Sequence, residues 1–195
     1  MIDTIKAELI RKGIHNLIAL APWLAGMNRP HTALLLMGGV FFYALVESLR
    51  FVGFSPPLTS SLTKSVLRER EEGRFALGPV TLGLGALLAI VLFPPQAAAV
   101  GIYALAFGDS AATLTGKFLG RIRPAFLAGK SLEGSLACFA VAALACFLVF
   151  RDWRIAIATG IVSMVVEAFS IRDFDNLLLP LAAGSTAMLA AFVFQ

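Results

Sequence analysis

Charge is scarce in this 195-residue chain: Asp, Glu, Lys and Arg together make up 14% of it, where a soluble domain carries about 25%. That scarcity excludes a disordered segment or a long coiled coil, both of which need charged or polar faces throughout. Cysteine is scarcer still, with two residues. Both Cys138 and Cys146 fall inside one apolar run, which excludes a disulfide-built scaffold and makes them packing residues. A cleavable signal peptide is not expected, because Met1 to Lys12 is polar and no small-residue cleavage pattern follows a short apolar core. Apolar residues fill the space left by charge: 58% of the chain is hydrophobic and its mean hydropathy is +0.85. Such a composition fits a small polytopic membrane protein. The net charge of +4 does not point to a nucleic-acid partner. Lys and Arg gather between the apolar runs, as the basic flanks of membrane helices do.

A bilayer core needs about 20 mostly apolar residues per helix. Seven runs meet or approach that length: Arg11 to Met27, His31 to Phe51, Phe75 to Phe93, Pro95 to Leu119, Leu132 to Phe150, Arg154 to Phe169 and Leu177 to Phe194. The first is short and holds Pro22, so a re-entrant or tilted segment is the alternative to a full span there. The expected fold is an all-α integral membrane protein of about seven transmembrane helices. It forms one domain over residues 1–195, with no internal repeat or low-complexity linker. With the N-terminus inside, Arg29, Arg151 and Arg154 fall on the outer side, and the other thirteen of the sixteen Lys and Arg fall on the inner side. By the positive-inside rule this sets the N-terminus in the cytoplasm and the C-terminus outside. The one long loop, about 54–75, carries Leu58, Leu62, Val66 and Leu67 at helical spacing before a charged run, and reads as an amphipathic helix on the cytoplasmic membrane surface.

Ionisable groups inside spans are costly, so each is a candidate for function. Glu47, Asp109 and Glu167 qualify. In the inferred topology Glu47 and Glu167 lie near the cytoplasmic ends of their helices, and Asp109 lies about 15 Å deeper at 1.5 Å per residue. His15 opens the first span and Asp175-Asn176 the last, on the same side. All six can line one cavity. Plainer roles compete: Glu47 can pair with Arg50 and Glu167 with Arg172 to anchor helix ends, and Asp175-Asn176 can be N-caps. Asp109 has no basic neighbour in sequence. Around it Gly108, Ala112, Gly116 and Gly120 recur every four residues, a smooth face that by itself means helix packing. Next come Arg121, Arg123, Gly129, Lys130, Ser131, Glu133 and Gly134, a basic stretch that enters a helix. Free N–H groups at a helix start attract phosphate, and Lys130 adds a point charge. A deep carboxylate, close-approach glycines and a basic helix start together point to a polyphosphate site with a divalent metal. Gly129-Lys130-Ser131 is not the end of a Walker A loop, because the required earlier glycine is Pro124.

These stretches resemble the CTP-dependent polyprenol kinase family, which includes dolichol kinase, yeast-type diacylglycerol kinase and phytol kinase. Arg11-Lys12-Gly-Ile-His15 is similar to its N-terminal Arg-Lys-x-x-His element, and Glu47 to its second-helix glutamate. The block of about 107–134, with Gly108-Asp109, Gly116, Gly120 and Lys130-Ser131-Leu-Glu133-Gly134, resembles its nucleotide-binding region, and Glu167 with Asp175-Asn176 and Pro180 its C-terminal element. The resemblance implies transfer of the γ-phosphate of CTP to the hydroxyl of a polyprenol, dolichol, phytol or diacylglycerol. It implies phosphate contacts from Arg11, Lys12, Gly108, Gly116, Lys117, Gly120, Lys130, Ser131 and Gly134. Mg²⁺ or another divalent cation would be held by Asp109 with Glu47 or Glu167. Asp109, Lys130, Glu133 and His15 are the expected catalytic residues, with the choice of base open. The expected partners are CTP, a lipid alcohol and membrane lipids, and the expected location is a prokaryotic plasma membrane with the site facing the cytoplasm. Phosphatidate cytidylyltransferases share the middle block, but their C-terminal His-Gly-Gly is missing from Ser170 to Pro180. A small transporter would spread its charges over both membrane halves or show inverted repeats, and neither is present.

Overall fold

The structure is a computed structural model that describes residues 2–53, 75–127, 129–170 and 174–194, with side chains from residue 8 onward. The amphipathic surface helix expected over 54–75 falls almost wholly outside these residues, as does Arg172. Among the described residues every regular element is helical. The α-helices are α1 (Ile2–Asn16), α2 (Ala21–Met27), α3 (Arg29–Phe51), α4 (Gly78–Leu92), α5 (Pro95–Tyr103), α6 (Asp109–Phe118), α7 (Leu132–Phe150), α8 (Trp153–Phe169) and α9 (Asp175–Phe194). A π-helical segment, Ala104–Gly108, joins α5 to α6 in one continuous helical run.

Among the described residues four helices are long and apolar enough to cross a membrane: Arg29–Phe51, Pro95–Phe118, Leu132–Phe150 and Asp175–Phe194. Two of the other expected spans form shorter helices, α4 with 15 residues and α8 with 17. The first expected span is not one helix. A 3-10 turn over Leu17–Leu20 separates α1 from α2, and Pro22 stands in the first turn of α2, where its missing N–H costs nothing. Asn28 ends α2 in an extended conformation, and its side-chain oxygen accepts the N–H of His31 at 3.1 Å to start α3.

Small residues decide how the helices meet. α8 lies between α7 and α9; α9 also packs on α4 and α5, α6 on α7, and α3 on α4. The buried core is dominated by alanines such as Ala86, Ala89, Ala97, Ala104, Ala142, Ala183 and Ala187. Small side chains let backbones approach, which is how apolar helices associate when burial of hydrocarbon offers little gain in lipid. A Cβ on Gly101 would strike the carbonyl of Pro180, and one on Gly85 the carbonyl of Asn176. The second of these carbonyls is four residues before Pro180, whose ring nitrogen cannot bond it. α3 is the outlier: it buries only Thr32 and Glu47 and turns Leu34, Leu35, Phe41 and Phe42 outward. Cys138 and Cys146 are buried and unbridged.

Arg29 closes the end of the bundle opposite the polar cluster. Its guanidinium donates to the carbonyls of Ile90 and Phe93, the latter at 2.7 Å, so it ties the α2–α3 turn to the α4–α5 turn. These carbonyls are orphans at the end of α4, and a cation is the favoured partner there.

Candidate functional site

The stripe on α1 begins the site. Glu8, Lys12 and His15 are spaced four and three residues apart, which puts them on one helix face. All three are buried, at 9%, 5% and 9% exposure. That face looks onto the start of α6, where Asp109 is 6% exposed. The Lys12 ammonium pairs with the Asp109 carboxylate and lies 3.5 Å from its backbone oxygen. His15 Nε2 stands 3.0 Å from the carbonyl of Leu105 and 3.4 Å from Asp109 Oδ2. A ring nitrogen facing two acceptors carries a hydrogen, so Nε2 donates and is not the proton-accepting nitrogen. The π-helical segment supplies this arrangement, since its wide turn presents Leu105 to His15 immediately before Asp109. The neighbouring Ser110 hydroxyl donates to Asn16 Oδ1 at 2.6 Å, a second tie between α6 and the end of α1.

Glu8 and Lys117 form the outer edge. Lys117 and Arg11 both pair with the Glu8 carboxylate. Burial opposes ionisation of Glu8, yet Lys117, Arg11 and Lys12 together outweigh it and hold the carboxyl below its ordinary value. Glu8 therefore helps stability above the ordinary carboxylate range, and that help is lost as pH falls through its lowered value.

Lys130 carries a second cluster. Gly129 before it has φ +90, a backbone conformation that glycine adopts without strain, and Arg123 fixes this turn by donating to the carbonyls of Gly129 and Gly116, each at 2.6 Å. Lys130 Nζ donates to the Glu167 carbonyl and stands 3.2 Å from Glu167 Oε1 and 3.9 Å from Asp175 Oδ2. Glu167 Oε2 also accepts the Ser135 hydroxyl at 2.8 Å. Asp109 lies within electrostatic reach of both Lys130 and Asp175, so the two clusters are neighbours. Three carboxylates from α6, α8 and α9 thus surround two lysines at one end of an apolar bundle.

Other candidates are spent locally. Glu47, at 2% exposure, accepts two bonds from Arg50 (2.8 and 2.6 Å) and the N–H of Ala76 at 2.7 Å. It anchors the end of α3 to a residue two positions before α4, and it does not join the lysine clusters. Asn176 donates to the carbonyl of Gly78 and the hydroxyl of Thr81, both at 3.2 Å. Glu133 accepts the N–H groups of Arg121 and Ile122 at 3.0 and 3.1 Å and so shapes the loop before α7. The helix start expected to be open to phosphate is internally satisfied: Leu132 N–H bonds the Ile122 carbonyl at 3.0 Å and Gly134 N–H the Ser131 hydroxyl at 3.1 Å. Gly116 and Gly134 form a close α6–α7 contact, Gly108 at the end of the π-helical segment lies against Cys138 of α7, and Gly120 lies against Ser131. A Cβ on Gly134 would come within 2.7 Å of the Ala112 carbonyl. Gly134→Ala is expected to cost about 1–3 kcal/mol, as overpacking does, read as a lower thermal midpoint in detergent. An unchanged midpoint would count against glycine packing as the role of this stripe.

A metal has been expected here, and the donors fit only one form of site. Among the described residues no three His, Cys, Asp or Glu side chains form an all-protein metal cage. Mg²⁺ more often uses one or two carboxylates and leaves the rest of its shell to phosphate and water. Glu167 beside Lys130, and Asp109 within electrostatic reach of that lysine, are the hard oxygen donors that would supply those one or two carboxylates.

Comparison with known proteins gives relatives of one kind. The chain is 22% identical to the CTP-dependent diacylglycerol kinase 1 of Schizosaccharomyces pombe over 210 aligned positions, covering 91% of both proteins. It is 29% identical to the protein of the same name from Eremothecium gossypii, covering 72% of this chain and 45% of the relative. It is 28% identical to the dolichol kinase of Saccharomyces cerevisiae, covering 79% of this chain and 31% of the relative. No family model matches the chain. No solved structure matches it. These three relatives are fungal, which gives no support to the prokaryotic membrane expected from the sequence.

Proposed function

We propose, from its similarity to CTP-dependent lipid kinases, that this chain is a membrane lipid kinase which moves the γ-phosphate of CTP to the hydroxyl of a lipid alcohol. The observation that carries the reading is the buried Lys12–Asp109 pair beside Lys130, Glu167 and Asp175. Buried charges at the end of an apolar bundle are expensive and rarely serve stability alone. In the reaction the lipid oxygen bonds to the γ-phosphorus, the bond to the β–γ bridging oxygen breaks, and CDP leaves. The hydroxyl proton passes to a carboxylate of the cluster. Lys12 and Lys130 supply positive charge against the phosphates, with Arg11 and Lys117 at the outer edge, as cationic clamps do in phosphoryl transfer. His15 positions Asp109. Asp109 and Glu167 would hold Mg²⁺, which neutralises phosphate charge when bound.

The chain passes the membrane seven times in this reading, with its N-terminus and site on the cytoplasmic side and its C-terminus outside. Two contacts support a full first pass despite its break: Lys12 meets Asp109, and Arg29, seventeen residues on, meets the carbonyl that precedes Pro94 at the other end of the bundle. The single domain of 1–195 is part of the same reading.

The test uses purified protein in detergent with Mg²⁺ and CTP labelled at either the γ- or the α-phosphate. The acceptors offered are phytol, farnesol, a polyprenol, diacylglycerol and phosphatidate. γ-Label in an alcohol's phosphate is the expected result. α-Label moving into phosphatidate instead would make the protein a cytidylyltransferase. Lys130→Ala is expected to lower kcat/KM for CTP at least about 100-fold, the scale of a lost charge clamp. Arg151→Ala, a helix-ending residue at the opposite end of α7, is expected to change it less than about twofold. Equal losses would overturn the assignment of the site to one end.

A further inference from the structure

A groove of about 450 Å³ runs between α8 and α9, and the lysine clusters do not use it. Its volume lies inside the range of about 300–1,000 Å³ found for small-molecule sites. On α8 and at its end it is lined by Val165, Val166, Phe169 and the capping Ser170. On α9 it is lined by Leu178, Leu181, Ala182 and Ser185. Val165, Phe169 and Leu178 are 45%, 60% and 46% exposed, so in a membrane the groove opens sideways to lipid. Its polar end is near the site. Leu178, Ala182 and Ser185 follow Asp175 by three, seven and ten residues, which puts Asp175 at the head of the same helix face. Ser170 follows Glu167 by three. The Ser170 hydroxyl oxygen is buried and has no hydrogen-bond partner among the described residues. Leaving a buried hydroxyl unpaired is unfavourable, and a ligand hydroxyl that bonds it would remove that cost.

We infer that this groove binds the acceptor: the hydrocarbon chain of the lipid alcohol lies between α8 and α9, and its hydroxyl meets Ser170 and Asp175 beside Lys130. The inference rests on the kinase reading and adds the acceptor's route to it. The alcohol reaches the phosphate-binding cations from within the bilayer, while the nucleotide comes from the aqueous side. Ser170 and Asp175 orient the hydroxyl, one by either sense of hydrogen bond and the other by accepting its hydrogen.

Two measurements test it. In the first, wild-type protein is photolysed with a long-chain alcohol carrying a diazirine on its chain, and labelled peptides are mapped. Label in Val165–Ser170 and Leu178–Ser185, competed by unmodified alcohol, is expected. Label spread over outward faces such as Phe41 and Phe42 of α3, without competition, would overturn the groove. In the second, Ala182→Trp fills the groove and Leu144→Trp serves as control on an outward face of α7, where Leu144 is 58% exposed. Ala182→Trp should raise KM for the alcohol at least tenfold with KM for CTP within twofold, and Leu144→Trp should leave both within twofold. Ser170→Ala should raise the alcohol KM several-fold. An unchanged alcohol KM in Ala182→Trp would refute the groove while leaving the kinase intact. A wild-type protein that phosphorylates no alcohol would instead refute the kinase reading. Should Ala182→Trp fail to fold, the labelling map of the wild type decides.

Discussion

Asp109→Asn is expected to reduce γ-phosphate transfer by about 10³-fold or more, the scale of losing a principal electrostatic group from a phosphoryl-transfer site. The substitution keeps the size of the side chain and one acceptor oxygen, so Lys12 and His15 still find a partner, but the charge that would hold Mg²⁺ is gone. The variant should still extract into detergent and run as the folded protein, because the helix contacts around Gly108 and Ala112 do not involve the carboxylate. Activity is read on that folded fraction, across a range of Mg²⁺ concentrations. Full activity at any of them would sink the mechanism.

Removing Lys12 instead should hurt the fold as well as the reaction. Lys12→Met leaves the Asp109 carboxylate buried, with His15 at 3.4 Å and only the more distant Lys130 to balance it. Breaking a buried pair from one side costs about 3–5 kcal/mol, because a lone buried charge remains. The double variant Lys12→Met with Asp109→Asn should therefore be more stable than Lys12→Met alone, while remaining inactive. The expected coupling between the two positions is about 1–3 kcal/mol, as for contacting residues. It is read by denaturant or thermal unfolding in detergent as a double-mutant cycle. Strictly additive losses would mean that Lys12 and Asp109 do not depend on each other, and that the pair is not the centre of the site.

The sequence carried part of this site in plain view and hid the rest for physical reasons. Asp109 stood out because a carboxylate inside an apolar run needs a compensating partner. Which partner it has could not be read, because Lys12 lies 97 positions away and only the packing of α1 on the π-helical segment brings them together. Glu8 was missed: its spacing from Lys12 and His15 is helical, but nothing in the sequence names Lys117 as its partner. Glu47 had its alternative three residues away in Arg50, and local pairing won: a short i, i+3 ion pair forms without help from the fold. The glycines presented the opposite difficulty. A glycine that lets a phosphate approach and one that lets a helix approach leave the same mark in a sequence. Here Gly116 and Gly134 face each other across α6 and α7. Helix existence was legible from composition, whereas helix breaks were not. Pro22 marked one irregularity, but nothing at Ala104–Gly108 is a helix breaker apart from Gly108.

That π-helical segment has a consequence for how the chain can change. A π turn holds one residue more than an α turn, so it acts as a phase shifter in the middle of the run Pro95–Phe118. Before it, α5 presents Val100, Gly101 and Ile102 to the core; after it, α6 presents Asp109 to α1 and Ala112 to α7. Both phases are needed at once. Were the segment to relax to α-helix at unchanged length, everything beyond it would rotate by about 100° and advance about 1.5 Å. Asp109 would then swing away from Lys12 while every apolar residue of α5 stayed where it is. The register of the reactive half of this helix is therefore set by the extra residue of the π segment, and what has to be kept is the π turn itself.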